Sequence, residues 1–169
     1  EIKIAFQRKG NVLGSVSRYQ NSGKLHELNF GSSDGIDGFD RLSNKEYFKK
    51  FGARRWSSKT GVDNEDIGTL THEFAHSITS SASPLNKTSA KVSNFWKDIK
   101  SLRKEYFDEM RYLRENNRSE DLTDMLLGDY ANHNIDEFFA EGFKTYKLSK
   151  KPSKYAKKIG QITDKYFKK

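Results

Sequence analysis

Cysteine is absent from this 169-residue chain, and proline and methionine occur twice each. Without thiols there is no disulfide framework and no thiolate ligand, so any metal must be held by imidazole and carboxylate. No apolar run approaches the length needed to span a bilayer. Histidine is also scarce, at four residues, which makes its placement informative. The apolar share is 34% against 32% charged, a balance that predicts long, exposed helical surfaces. Twelve Phe and eight Tyr supply mass for a core. The length suits one domain and is short for two. The first residue is Glu1, with no charged-then-apolar leader, so we expect a processed product or a domain excised from something longer.

The net charge of +8 suggests nucleic acid until it is located. Residues 144–169 hold ten lysines against Asp164 alone, and the rest of the chain is close to neutral. The excess is therefore a basic tail, either a solvated helix face or a patch for acidic partners or anionic surfaces. No nucleic-acid-reading motif accompanies it, so we expect no nucleic-acid partner and no membrane span.

Ile2, Ile4 and Phe6 alternate as in a strand with one buried face. Asn11–Tyr19 and Leu25–Phe30 are two further strand candidates, separated by a turn at Asn21-Ser22-Gly23. Gly31 to Asp40 reads as a loop, because Asp34, Asp37 and Asp40 miss the calcium-loop spacing. A short helix is expected over 44–51 and a polar irregular stretch over 54–66. After Pro84, Val92, Phe95, Ile99, Leu102, Tyr106, Met110 and Leu113 recur at helical steps, predicting a packed arm rather than a coiled coil. Gly128 would stop a helix over Glu120–Leu127, Asn134 would cap one beginning at Ile135, and a last helix runs near Ser153–Phe167. We expect an α+β, predominantly helical domain. A strand-rich N-terminal lobe (1–66) would pack on a helical lobe (67–169) carrying the chemistry.

That chemistry begins at His72-Glu73-Phe74-Ala75-His76, an H-E-x-x-H pattern on a helix expected near Ile67–Ser80. Around a helix His76 and Glu73 lie about 40° and 100° from His72, within one sector. Two imidazoles can then hold one ion, with a carboxylate beside them to take a proton from water. Leu70, Phe74 and Ile78 fall on the opposite face and are expected to form its core stripe. The competing reading is of two histidines that are merely solvated or hydrogen-bonded in a core.

A catalytic zinc wants a third protein ligand. Glu137 and Glu141 project from one side of the expected helix at 135, opposite Phe139, Phe143 and Tyr146. Glu137 can ligate while Glu141 accepts the outer N–H of a ligand histidine. The alternative is that Asn134 and Glu137 form a capping box, with Glu137 serving the helix start alone.

The H-E-F-A-H run, Tyr130 seven residues before Glu137, and Glu137-Phe138-Phe139-Ala140-Glu141 together resemble one family. It is that of the anthrax toxin lethal factor-like zinc metallopeptidases, gluzincins related to the Pro-Pro endopeptidases. The resemblance runs from about Gly68 to the C-terminus. It implies a zincin-like fold and one Zn2+ held by His72, His76 and Glu137. It also implies Glu73 as general base, Tyr130 as donor to the oxyanion, and Glu141 behind the ligands. Ala75 stands where members often carry Gly. The interval between His76 and Glu137 is longer than in those relatives, and residues 86–119 account for the difference.

We therefore expect a zinc-dependent endopeptidase acting on a protein or peptide substrate: a hydrolase, secreted or excised from a larger bacterial or phage protein. The strand at Leu25–Phe30 is a candidate edge for an extended substrate. The alternative is a zinc-containing structural or interaction domain of a phage or mobile-element protein, without turnover. His26 and His133 are expected to stand outside the site.

Overall fold

The structure, a computed structural model, describes residues 3–7, 14–18, 25–31, 65–81 and 90–167. These fall into two compact units. The first holds β1 (Lys3–Gln7), β2 (Gly14–Arg18), β3 (Leu25–Gly31) and α1 (Glu65–Ser81). The strands pair in the order β1-β3-β2. β1 is parallel to β3 from Lys3 opposite Glu27 onward, and β2 is antiparallel to it from Gly14 opposite Phe30. α1 contacts β2 and β3.

The expected α+β division into a sheet lobe and a helical lobe is not what the chain forms. From Glu65 onward every element among the described residues is helical, and the fold is a helical one. The three strands are five to seven residues long and do not amount to a lobe. Short period-two alternation carries less burial than a helical stripe maintained for 26 residues, and the stripe dominates. A second correction concerns β3. It lies between β1 and β2, so both its sides are hydrogen-bonded and it offers no edge to a substrate. The Asp34–Asp40 segment, the helix expected over 44–51, the polar stretch before Glu65 and the Asn21–Gly23 turn lie outside the described residues.

The second unit is built on α2 (Ala90–Glu115). Its buried residues are Phe95, Ile99, Leu102, Tyr106, Met110 and Leu113, the expected stripe, with Val92 half-buried. Asn117 ends the helix in the left-handed region, at φ 54°. There the Arg118 N–H donates to the Leu113 carbonyl at 2.8 Å and the Asn117 N–H to that of Arg114 at 3.2 Å. Those two bonds satisfy carbonyls that the helix would otherwise leave open. A short α3 (Ser119–Met125) and Gly128, at φ 89°, lead into a single 3-10 turn, Asp129–Asn132. α4 (Ile135–Leu148) and α5 (Lys154–Phe167) follow. The Ser153 hydroxyl accepts the Ala156 N–H at the start of α5.

Aromatic rings fill the space between α2, α4 and α5. Phe95 meets Phe139 at 5.2 Å and Phe167 at 5.0 Å, edge to face. Tyr106 meets Tyr155 at 5.1 Å and Phe138 at 5.3 Å. Each such pair adds about 0.5–1.5 kcal/mol beyond the area it buries. α4 and α5 approach closely at Gly160, where a Cβ would stand 2.5 Å from the ring of Tyr146.

Ion pairs close the same seam at the surface. Asp98 meets Lys165 at 2.9 Å, Glu105 meets Lys158 at 2.5 Å and Glu109 meets Lys154 at 2.7 Å. Each step forward on α2 is an equal step back on α5, as antiparallel helices require. Tyr166 donates to Asp98 and Tyr155 to Glu109. The basic tail is thus not only a solvated face, since three of its lysines neutralise α2. Among the described residues no helix is long and apolar enough to cross a membrane.

The hydrogen bonds from Lys165 and Tyr166 hold the Asp98 carboxyl below its ordinary value, and those from Lys154 and Tyr155 do the same for Glu109. A carboxylate with a lowered folded-state pKa stabilises fully above its unfolded value and loses that contribution as pH falls through the folded one. Replacing Asp98 by Asn and Glu109 by Gln together should lower Tm at neutral pH by roughly a few degrees. It should also flatten the decline of Tm below about pH 5. Thermal unfolding across this range checks it. A decline as steep as the parent's would assign the acid sensitivity to other groups.

Candidate metal centre

α1 carries the H-E-x-x-H residues, and it packs the opposite way from expectation. Thr69, His72, Glu73, Ala75 and Ser77 are buried, His72 and Glu73 each to 7% exposure. Phe74 is 46% exposed and Ile67 42%, while Leu70 and Ile78 are half-buried. The expected core stripe of Leu70, Phe74 and Ile78 is therefore corrected: the helix hides its polar side. Apolar transfer alone would favour burying Phe74, which is worth about 1.5–3 kcal/mol, and leaving the carboxylate in water. A helix placed this way is organised by the partners of its polar groups.

Within α1 the Nε2 atoms of His72 and His76 lie 3.1 Å apart, with the rings at 79° to one another. This separation allows one ring to donate an N–H and the other to accept it. It also nearly matches two ligands of one tetrahedral zinc, whose nitrogens stand roughly 3.4 Å apart when each is 2.0–2.1 Å from the ion. One turn of spacing brings the two nitrogens to a common point, and Glu73, the residue after His72, is buried. The Thr71 and Ser77 hydroxyls donate to the Ile67 and Phe74 carbonyls, tying their polar ends to the helix itself.

In the second unit, α4 starts at an Asn134 cap, as expected. Its Oδ1 accepts the main-chain N–H of Glu137 at 2.9 Å, so the cap runs through the Glu137 backbone. Asp136 and Glu137 put negative charge in the first turn, where the helix dipole favours it. One turn later Glu141 is buried to 1% exposure. Lys144 lies against it, with Nζ 2.9 Å from Oε1 and 2.8 Å from Oε2. Tyr130 is half-buried on the 3-10 turn, its ring 5.3 Å from that of His133. Arg103 of α2 donates from Nη2 to the Asn132 carbonyl at 3.0 Å and stacks its guanidinium on Phe107. That bond ties α2 to the turn carrying Tyr130.

Among the described residues, His72, His76 and Glu137 offer three ligand atoms, one each, of the kinds that could hold a metal ion. Two imidazoles and a carboxylate are a donor set that suits zinc. Lys144 and Arg103 had no sequence signal of their own. Lys144 was one lysine of a basic tail, and Arg103 one charge of a charged arm. Only the i,i+3 spacing of Glu141 and Lys144 could have suggested the first.

The chain matches no family model, and no curated protein or solved structure matches it.

If Asn134 sets the start of α4, Asn134→Ala should cost about 1 kcal/mol of stability, and Asn134→Asp or Asn134→Ser much less. Denaturant unfolding of the three variants measures this. Equal losses in all three would remove the cap from the account of how Glu137 is placed.

Proposed function

We propose that this chain is a zinc-dependent endopeptidase of the anthrax lethal factor-like, gluzincin kind. His72, His76 and Glu137 would hold the ion. The observation that carries the reading is the pair of imidazole nitrogens 3.1 Å apart on α1, with Glu73 of the same helix buried. Glu73 is the discriminating residue. A site that only stores a cation has no use for a carboxylate beside the two histidines, whereas hydrolysis needs a base there.

When bound, the ion supplies the Lewis acidity that makes water a nucleophile near neutral pH. Glu73 takes the proton of that water at a carboxylate oxygen as attack on the peptide carbonyl proceeds, then hands it to the leaving amine. The Tyr130 hydroxyl donates to the carbonyl oxygen as negative charge gathers on it. Glu141 accepts the outer N–H of a ligand histidine and fixes its tautomer. The substrate is a protein or peptide.

A peptide-library digest with and without chelator tests the activity, and three variants assign it. Glu73→Ala should retain zinc and lose cleavage by about 10²–10⁴-fold. Tyr130→Phe should lower kcat on the order of 10²-fold with the fold intact. His72→Ala should lose the metal itself. Cleavage that survives Glu73→Ala would refute the base assignment. Stoichiometric zinc with no cleavage by the parent chain would leave a metal-holding structural module instead.

A further inference from the structure

α4 buries eight consecutive residues, 138–145, and two of them are charged. The side chains of Glu141 and Lys144 are 2% and 4% exposed, and the ammonium sits across both carboxylate oxygens at 2.8 and 2.9 Å. Stability does not account for this pair. Taking two ions out of water is costly, and apolar residues of similar volume generally serve a fold as well or better. The neighbours Phe138, Phe139, Ala140 and Phe143 show that the helix is otherwise built for apolar packing.

A lysine in this place supplies what no leucine or methionine can. It fixes the direction of both oxygens of a buried carboxylate. A carboxylate has about four acceptor positions, and a bridging ammonium engages only some of them. A carboxylate held in this way can still accept a further N–H. Thr145 donates its hydroxyl to the Glu141 carbonyl, which adds a second tie within the same turn.

We propose that Lys144 is a positioning residue of the metal centre. It holds the Glu141 carboxylate oriented so that Glu141 can accept the outer N–H of a ligand histidine. This rests on the zinc reading above and assigns a role to a residue that the reading leaves unused. In this role Lys144 acts through Glu141.

Zinc affinity of the full chain, measured by competition with a chromophoric chelator, provides the test. Lys144→Met should weaken zinc binding by about 10–100-fold, the range seen when partners of metal ligands are lost. Lys144→Arg, which keeps the charge, should recover most of it. The double variant Glu141→Leu with Lys144→Met guards against misfolding, since an apolar pair should leave Tm of the metal-free chain equal or higher. It should still bind zinc 10–100-fold more weakly. Parent-like affinity in both Lys144→Met and the double variant, with binding abolished by His72→Ala, would make Lys144 merely structural and overturn the proposal. Zinc binding by the parent that His72→Ala does not change would overturn the metal reading itself.

Discussion

A charged or strongly polar group taken out of water must meet a partner or be neutralised, and this chain does it on two helices at the positions of its motifs. On α1, His72 and Glu73 are buried while Phe74 stands out into solvent. On α4, Glu141 and Lys144 are buried as a pair inside an otherwise aromatic and aliphatic run. Neither arrangement lowers the free energy of folding as much as the reverse would. The apolar surface needed to offset them is supplied elsewhere, by the rings around Phe95 and Tyr106.

That division of labour explains the form of the second unit. α2, α4 and α5 are held by a ring cluster inside and a ladder of ion pairs outside. The two act along the same seam, since Tyr155 and Tyr166 contribute ring edges to the cluster and hydroxyls to the carboxylates of the ladder. Burial, and then the Glu109 carboxylate, push the Tyr155 hydroxyl well above the ordinary phenol range. Pairs this exposed contribute little individually. Their effect is on register, since a shift of α5 along α2 would break all three together.

What could be read from the residues alone follows from which patterns are local. The α2 stripe, the Asn134 cap and the Ser153 start depend on neighbours three or four positions away, and these were legible. The orientation of α1 was not. Its residues 70, 74 and 78 form an apolar line, but a helix with chemistry on one face and apolar residues on the other gives two plausible buried sides. Hydrophobic periodicity always picks the apolar one. The position of β3 between β1 and β2 depends on pairing over some twenty residues, which alternation cannot reveal. The ladder was hidden for a similar reason: its partners are separated by 45 to 67 positions. From the chain alone the tail lysines look like unspent charge.

The placement of Arg103 bears on the long interval between the two motifs. Residues 86–119 read as a charged insertion, and an insertion can be a passenger that loops away from the working parts. α2 is no passenger. It contributes six buried residues to the core of its unit, and Arg103 reaches from it to the Asn132 carbonyl, in the turn that carries Tyr130. With its guanidinium stacked on Phe107, Arg103 is held from below while it donates above. A 3-10 turn of four residues has little cohesion of its own, so its geometry is set by whatever grips its ends. Here one end is set by Gly128 in a backbone region that favours glycine, and the other by an arginine from α2. The segment between the two motifs is thus also the segment that steadies Tyr130, the proposed oxyanion donor.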